Sequence, residues 1–308
     1  MTGTIRGSTR GLYSMTWAHN TKLNGGGIWS AWRKRAISAR RMWMAENKKN
    51  TDEFTNFGFE RVPRTEKKHR VSGVFDSVAD RYDLMNDLMS LGLHRAWKRF
   101  ALSKTALQPG GWALDVAAGS GDLSEGMARQ VGQNGRVVVT DFNSSMLQRG
   151  RARLIDSGVV GNSSYLLADA EKLPLESSRF QCVTIGFGLR NVTDKSAALA
   201  EMYRVLKPGD RLLVLEFSKP RLGPLESAYD FYSFQVLPRL GRLVADDADS
   251  YRYLAESIRV HPDQEALKAL MVRQGFERCE YYNLSGGCLL YTSPSPRDGL
   301  LYPMPSSA

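Results

Sequence analysis

Short apolar runs alternate with amphipathic segments between residues 112 and 217. The runs read WALDVA, RVVVT, SSYLL, FQCVTIG and RLLVLEF, and the segments between them carry apolar residues at helical spacing. Strands that alternate with helices in this way are typical of a doubly wound α/β sheet. The pattern therefore predicts an α/β fold whose ligand site lies outside the carboxyl ends of the strands.

A helical segment, residues 74–102, is predicted before the first strand. Five of its residues recur at helical spacing, and core packing is the interpretation we favour for most of them: Val74, Val78, Tyr82, Met85 and Met89. Residues 44–69 are polar and are predicted to form a mobile stretch.

The first strand runs into the loop LDVAAGSGD, residues 114–122. Gly119 and Gly121 match the start of a dinucleotide fingerprint, but Ser124 stands where its third glycine belongs. The lysine of a phosphate-binding P-loop is also missing. The glycines allow a ligand to approach the backbone closely, but they do not by themselves identify it.

The next two strands each end in an acid, Asp141 and Asp169. An acid about 20 residues beyond a glycine loop is placed to accept hydrogen bonds from ribose hydroxyls. A glycine turn followed by two acids suits S-adenosylmethionine better than NAD. The alternative for Asp141 is that it caps the following helix, for which Asn143 or Ser144 is the predicted N-cap.

Composition is that of an ordinary globular protein. The 308 residues can bury a sizeable core, with 42% hydrophobic and 24% charged residues, and the sequence contains no apolar run of membrane-spanning length. The cysteines Cys182, Cys279 and Cys288 are odd in number, which predicts reduced thiols in a reducing compartment. The four histidines are scattered, so no metal site is predicted.

The positive charge is concentrated at the N-terminus. Of the net charge of +10, eight charges lie in residues 1–43, which contain no Asp or Glu, and this leaves +2 for the remainder. A nearly neutral folded part disfavours nucleic-acid binding. Residues 1–43 have the composition of a mitochondrial transit peptide, which predicts the matrix side of the inner membrane. Alternatively Met44 starts the mature protein, and a bacterial cytoplasmic location beside the inner membrane is then expected.

Several longer motifs carry a family resemblance. They include FDSVADRYDLMNDLMSLGLHRAWK, LDVAAGSGDL, FGLRNVTDK, LLVLEFSKP and DSYRYLAESIRVHPDQ. From about Phe57 to Gly287 the chain resembles the ubiquinone/menaquinone biosynthesis C-methyltransferase family. The resemblance implies a Rossmann-like class I S-adenosylmethionine-dependent methyltransferase domain over residues 70–287, with a helical N-terminal segment and a helical substrate lid over residues 222–261. It also implies methylation of a ring carbon of a polyprenyl benzoquinol or of demethylmenaquinol.

The expected cofactor residues lie on the glycine loop and the following strand ends. They are Gly119, Ser120, Gly121, Asp141, Asp169, Ala170 and Gly186. Relatives often carry serine at the position of Gly186. If that hydroxyl contacts the cofactor, its loss costs about 0.5–1.5 kcal/mol of binding free energy.

Methyl transfer to a ring carbon requires an electron-rich ring, which deprotonation of the adjacent hydroxyl provides. A phenolate in a dry pocket needs a positive partner. We expect Arg190 to face the cofactor and to stabilise the phenolate or orient a water, with Asn191 holding it or that water. The alternative for Arg190 is a surface ion pair. Lower-ranked substrate candidates are Tyr82, His94, Tyr229 and Tyr232, although Tyr82 and His94 also suit purely structural roles.

The expected partner is a polyprenyl quinol. Peripheral membrane contact is expected because such a substrate lives in lipid, and a quinone-biosynthesis complex and a homodimer are further candidates. A non-catalytic scaffold in such a complex is the second functional hypothesis, and an RNA-binding or RNA-modifying protein is the third.

The resemblance breaks at the C-terminus, residues 288–308. Prolines at 294, 296, 303 and 305 are unsuited to a central strand. Either the protein has lost its final strand, or this tail is foreign sequence, which is the alternative we favour.

Overall fold

The computed structural model describes residues 53–218, 231–236, 239, 247–284 and 288–294, apart from the side chains of Asp80, Tyr82, Ser233 and Phe234. The strands in these ranges are β1 (Phe54–Phe57), β2 (Glu60–Pro63), β3 (Trp112–Val116), β4 (Arg136–Asp141), β5 (Ser163–Leu167), β6 (Phe180–Gly186), β7 (Leu206–Phe217), β8 (Glu280–Leu284) and β9 (Cys288–Pro294). The helices are α1 (Arg64–Val78), α2 (Tyr82–Ser90), α3 (His94–Ser103), α4 (Asp122–Val131), α5 (Ser144–Asp156), α6 (Lys195–Val205), α7 (Ala248–Val260) and α8 (Gln264–Arg273).

Seven strands form one sheet in the order β5-β4-β3-β6-β7-β9-β8. Strands β3 to β7 are parallel, whereas β9 runs antiparallel to both β7 and β8. Strand order reverses between β3 and β6, where an open α/β sheet offers a ligand crevice. The predicted doubly wound fold is confirmed.

Both faces of the sheet are buried. Neighbouring residues of one strand belong to different apolar clusters. Ala113 and Val137 belong to one cluster, and the residues that follow them, Leu114 and Val138, belong to the other. Side chains alternate between faces with a period of two, so a strand covered on both sides is apolar at most positions. This explains why the strands appear in the sequence as continuous apolar runs.

The prediction of a mobile stretch over residues 44–69 is corrected for its described part, residues 53–69. Strands β1 and β2 form an antiparallel hairpin, and α1 begins at Arg64. The ring of Phe57 stacks on Tyr253 of α7 with centroids 4.1 Å apart, and Lys67 is buried. The partners of this polar stretch come from distant parts of the chain, so its own composition did not reveal them.

The predicted helical segment 74–102 is three helices. The break between α2 and α3 falls at Leu91 and Gly92, whose φ angles of 50° and 77° are left-handed and end an α-helix. The described stripe side chains are all buried, which confirms their core role: Val74, Val78, Met85 and Met89.

The alternative that the protein has lost its final strand is wrong. Strand β9 lies between β7 and β8, and Leu290 and Tyr291 are fully buried. Pro294 occupies the last position of the strand, so the preceding residues supply the ladder hydrogen bonds. The foreign origin proposed for residues 288–308 is a separate question and stays a prediction, and residues 295–308 lie outside the described part.

Within the described ranges, the structure contains no helix of the length and apolarity needed to cross a bilayer. The three cysteines are free thiols, and all are buried.

Candidate active site

A cleft opens at the carboxyl ends of the parallel strands and encloses about 680 Å³ including its mouth. Four predicted cofactor residues line it: Gly119, Asp141, Asp169 and Ala170. The apolar part of its wall includes Phe142, Met146 and Phe187. A concave, mostly apolar space with a few polar groups is typical of a cofactor site.

Asp141 holds the glycine loop in place at the floor of this cleft. Its carboxylate accepts hydrogen bonds from the backbone N–H of Gly119 and of Asn143, each at 2.9 Å. Burial raises the pKa of Asp141 to about 6. The cap of α5 is Asn143, which accepts from the backbone N–H of Met146 at 2.9 Å. The alternative of Asp141 as the helix cap is therefore wrong.

Asp169 connects the cleft to α1. It forms an ion pair with the ammonium of Lys68, and it accepts from the backbone N–H of Glu171 at 2.9 Å. Helix α1 also contributes Lys68, Val71 and Phe75 to the cleft wall. Helix α1 is thus part of the wall of the site.

Two other predicted cofactor residues, Ser120 and Gly186, line a smaller space beside the loop together with Lys98 and Asp122. Lys98 forms an ion pair with Asp122, which also pairs with Arg153. Lys98 and Asp122 were not among the predicted residues, although Asp122 closes the LDVAAGSGD motif. An acid and a base side by side suit the ammonium and carboxylate of an amino acid group.

The contacts beside the glycine loop also explain why Ser124 stands where a dinucleotide fingerprint has its third glycine. Gly121 has a φ of 80° and precedes α4 as its N-cap residue. The hydroxyl of Ser124 in the first turn of α4 donates to the carboxylate of Asp115 in β3 at 2.6 Å. Thr184 of β6 donates to the other oxygen of Asp115 at 2.7 Å. A buried hydrogen bond, rather than a close glycine contact, joins this helix to its strand.

Arg190 does not line the cofactor cleft, which corrects the expected orientation of its side chain. Its Nη1 forms an ion pair with Oε1 of Glu216 at 2.6 Å, and both side chains are about 1% exposed. The backbone N–H of Arg190 donates to the other oxygen of Glu216 at 3.1 Å. The ion pair is buried, so the alternative of a surface ion pair is wrong as well.

Arg190 lines a second cavity, which is mostly polar and measures about 500 Å³ with its solvent-open mouth included. Its lining residues include Lys67, Arg190, Lys195, Tyr253 and His261. In the described part of the chain, Nε and Nη2 of Arg190 and both ring nitrogens of His261 have no hydrogen-bond partner. Buried polar atoms without partners are costly, so this cavity has the character of a site for a polar ligand.

The loop after β6 borders both spaces. Asn191 and Val192 line the cofactor cleft, whereas Arg190 lines the polar cavity. The hydroxyl of Tyr253 donates to Oδ1 of Asn191 at 3.0 Å, and the amide nitrogen of Asn191 has no partner among the described atoms. The same loop therefore contributes to the walls of both spaces.

The remaining substrate candidates lie apart from these two spaces or outside the described atoms. His94 is buried, contacts the hydroxyl of Ser90 at 3.0 Å, and lines a different cavity with Lys98. Burial lowers its pKa. The hydroxyl of Tyr232 donates to the carbonyl of Leu88 at 2.7 Å. Tyr229 and the side chain of Tyr82 are not described.

The sequence also matches known proteins. Residues 64–293 match the model of the ubiE/COQ5 methyltransferase family. The chain belongs to this family. Similar relatives are named ubiquinone/menaquinone biosynthesis C-methyltransferase UbiE: the protein of Teredinibacter turnerae is 59% identical over 76% of this chain and 94% of the relative, and that of Vibrio cholerae is 57% identical over 79% and 94%. The resemblance stated from the motifs is confirmed.

Solved structures agree on the fold. A methyltransferase of Haloferax volcanii, solved in complex with the activator Trm112, superposes with a TM-score of 0.55 at 18% identity, over 74% of this chain and 98% of that one. A SAM-dependent methyltransferase of Aquifex aeolicus gives 0.50 at 16% identity, over 68% and 96%. This UbiE-family protein is an S-adenosylmethionine-dependent methyltransferase, and its cleft, with an acid at the end of β4 and a glycine turn after β3, fits that cofactor.

Proposed function

We propose that this UbiE-family protein methylates a ring carbon of a polyprenyl benzoquinol, and of demethylmenaquinol as a second substrate. The observation that carries the proposal is the buried guanidinium of Arg190, a residue that lines a polar cavity and keeps two nitrogens without a hydrogen-bond partner among the described residues. The names of the relatives support the same substrates.

Each polar group has a separate task in this mechanism. Asp141, Asp169 and the glycine loop hold the cofactor, which supplies an electrophilic methyl group from its sulfonium. Arg190 donates from Nε and Nη2 to the ring oxygen and stabilises its negative charge. Glu216 holds the guanidinium by Nη1 and keeps the other nitrogens directed to the substrate.

The scaffold hypothesis has no support in the comparisons, since the relatives are named as enzymes. A scaffold would also not need a polar cavity lined by a residue whose donor nitrogens lack hydrogen-bond partners. A complex of quinone-biosynthesis proteins and a homodimer remain compatible with the proposed activity.

Membrane contact follows from the apolar tail of the proposed substrate. Exposed apolar side chains lie around the turn between α2 and α3 and near Tyr232: Leu84, Leu91, Leu93 and Phe231. Liposome flotation of the full chain measures this contact, and protein that stays in the lipid-free fractions with every lipid contradicts it. In a bacterium the proposed place is the cytoplasmic face of the inner membrane, and in a mitochondrion it is the matrix face.

The test of the activity is methyl incorporation from labelled S-adenosylmethionine into a short-chain benzoquinol and into demethylmenaquinol, with the position of the new methyl group read by NMR. Arg190→Lys keeps a positive charge for Glu216 but removes the two free donors. We expect this variant to bind the cofactor with unchanged affinity and to lose at least 100-fold in kcat. A wild type that binds cofactor and methylates neither quinol contradicts the proposal.

A further inference from the structure

Two lysines converge on one backbone oxygen beside the polar cavity. The Nζ of Lys67 in α1 donates to the carbonyl oxygen of Val192 at 3.2 Å, and the Nζ of Lys195 in α6 donates to the same oxygen at 3.3 Å. Both lysines line the same polar cavity as Arg190. Two ammonium groups that share a single acceptor repel each other, so one of them gains from losing its proton.

The side chain of Lys67 is buried, and the carboxylate of Glu171, which opposes the loss of its proton, acts more weakly than burial and Lys195 do. Lys67 is 2% exposed, and among the described residues no carboxylate lies within 4.0 Å of its Nζ. Burial, followed by the charge of Lys195, lowers the pKa of Lys67 to about 7. A lysine in this state is a base near neutral pH.

Burial lowers the pKa of Lys195 as well, but the carboxylates of Glu216, Asp194 and Glu171 oppose that shift, so Lys195 is the competing base and the remaining groups are poorer ones. The charged and titratable neighbours of Lys67 are Arg64, Glu171, Arg190, Lys195, Tyr253 and His261. The carboxylate of Glu171 is engaged by the backbone N–H groups of Thr193 and Asp194, each at 3.0 Å. An arginine stays protonated, and burial raises the pKa of Tyr253.

His261 faces the same space but accepts a proton less readily than Lys67. Burial and the nearby cations lower its pKa well below the ordinary value. A general base is most effective when its pKa lies near the working pH. His261 is therefore suited to accept or donate a hydrogen bond as a neutral ring.

We propose that Lys67 is the general base of the methyl transfer and takes the proton from the ring hydroxyl while Arg190 stabilises the oxygen that is left. This inference rests on the proposed function. The O–H bond breaks, its proton joins the lone pair of Nζ, and its electron pair enriches the ring carbon. After the new carbon–carbon bond has formed, the ring C–H proton leaves to water and Lys67 returns its proton to the ring oxygen. The net release is one proton per methyl group.

The test compares the full chain with its Lys67→Met and Lys67→Arg variants, and with Lys104→Met as the matched control. Lys104 is a half-buried lysine that lies over the rings of Phe100 and Tyr282, away from the cavity. We expect both Lys67 variants to lose 100-fold or more in kcat, since neither side chain can accept the proton, with a cofactor Kd within twofold of wild type. The control keeps its activity.

The pH profile separates a base from a structural lysine. For wild type, kcat/KM with the quinol should rise tenfold per pH unit below about 7 and level off above it, and this limb should vanish in Lys67→Met. A lysine NMR signal that titrates near pH 7, absent from the spectrum of Lys67→Met, gives a reading that needs no turnover.

Stability provides a second reading without activity. The folded-state pKa of Lys67 lies below its unfolded value, so the unfolded chain binds more protons between the two, and stability rises with pH through that window. Lys67→Met should therefore unfold at a higher denaturant concentration than wild type at pH 6. A lysine with a structural role gives the opposite shift.

Two results overturn the inference. If Lys67→Met retains kcat, or loses kcat but keeps the limb near pH 7, another group takes the proton. In both cases wild type still methylates the quinol, so the proposed function stands. A wild type that binds cofactor without methylating a quinol contradicts the function itself, and the role of Lys67 with it.

Discussion

Nη1 of Arg190 and Oε1 of Glu216 lie 2.6 Å apart in an ion pair that is closed to solvent on both sides. The pair joins the loop after β6 to strand β7, because Glu216 also accepts from the backbone N–H of Arg190. Nη1 is engaged by this ion pair, whereas Nε and Nη2 have no hydrogen-bond partner among the described atoms. Structure and chemistry therefore depend on the same residue.

This pair predicts a large difference between two substitutions of Arg190. Arg190→Ala leaves the carboxylate of Glu216 buried and unpaired, so we expect a loss of about 3–5 kcal/mol in the free energy of unfolding. Arg190→Lys keeps the charge and should lose less than half as much. Urea denaturation measures both. An Arg190→Ala variant within about 1 kcal/mol of wild type would show that water reaches Glu216.

A pH effect on stability is expected from Asp115. Burial raises its pKa to about 6, whereas the unfolded chain titrates near the ordinary 3.8. Because the folded state binds more protons between these values, the contribution of this carboxyl is fully present below pH 3.8 and is lost as the pH rises through 6. The loss amounts to about 3 kcal/mol, an order-of-magnitude value.

The matching measurement is urea denaturation of wild type and Asp115→Asn from pH 4 to pH 7. The amide of the variant can still accept from one of the two hydroxyls, of Ser124 and Thr184, and donate to the other. The free energy of wild type should fall relative to that of the variant as the pH rises. If the free energies of unfolding of wild type and variant change in parallel with pH, Asp115 has the same pKa in the folded and the unfolded state.

Gly186 offers a test of the serine that the family resemblance implies at its position. A Cβ built at Gly186 meets Cδ1 of Leu123 at 2.8 Å, the end of a side chain that can rotate away. Gly186→Ser should tighten cofactor binding by about 0.5–1.5 kcal/mol, up to roughly tenfold in Kd. Calorimetry gives the Kd, with Gly186→Ala as the control for the added carbon. Equal effects of alanine and serine would exclude the hydroxyl as the cause.

The C-terminal strand predicts a sharp limit to truncation. Ending the chain after Pro294 keeps β9, so we expect a folded protein that binds the cofactor. Ending it after Gly287 removes a strand between β7 and β8, with the buried side chains Leu290 and Tyr291. Burial of each side chain contributes about 1.5–3 kcal/mol to the free energy of unfolding, and the backbone hydrogen bonds to β7 and β8 are lost as well. Together these losses approach the whole free energy of unfolding of a domain. Circular dichroism and cofactor titration compare the two, and a folded protein ending at Gly287 would mean that β7 pairs directly with β8.

Much of the cofactor site was predictable because its signals are local. The turn at Gly119 and the acid at Asp141 follow apolar runs, and parallel strands bring their ends to one edge of the sheet. The orientation of Arg190 was not predictable. Its partner Glu216 lies in a different strand, and only the folded sheet places that carboxylate against the guanidinium.

Apolar spacing and short motifs were sufficient to predict the alternation of strands and helices, the cofactor edge and the family, because these signals lie in neighbouring residues. The tertiary structure decided that CLLYTSP completes the sheet and that Lys67, in the charged run EKKHR, is buried. Burial of Lys67 requires the carbonyl of Val192, 125 residues away, and the walls of a cavity made by α1, α6 and α7. Desolvation and charge repulsion depend on what surrounds a side chain in space, which spacing along the chain does not specify.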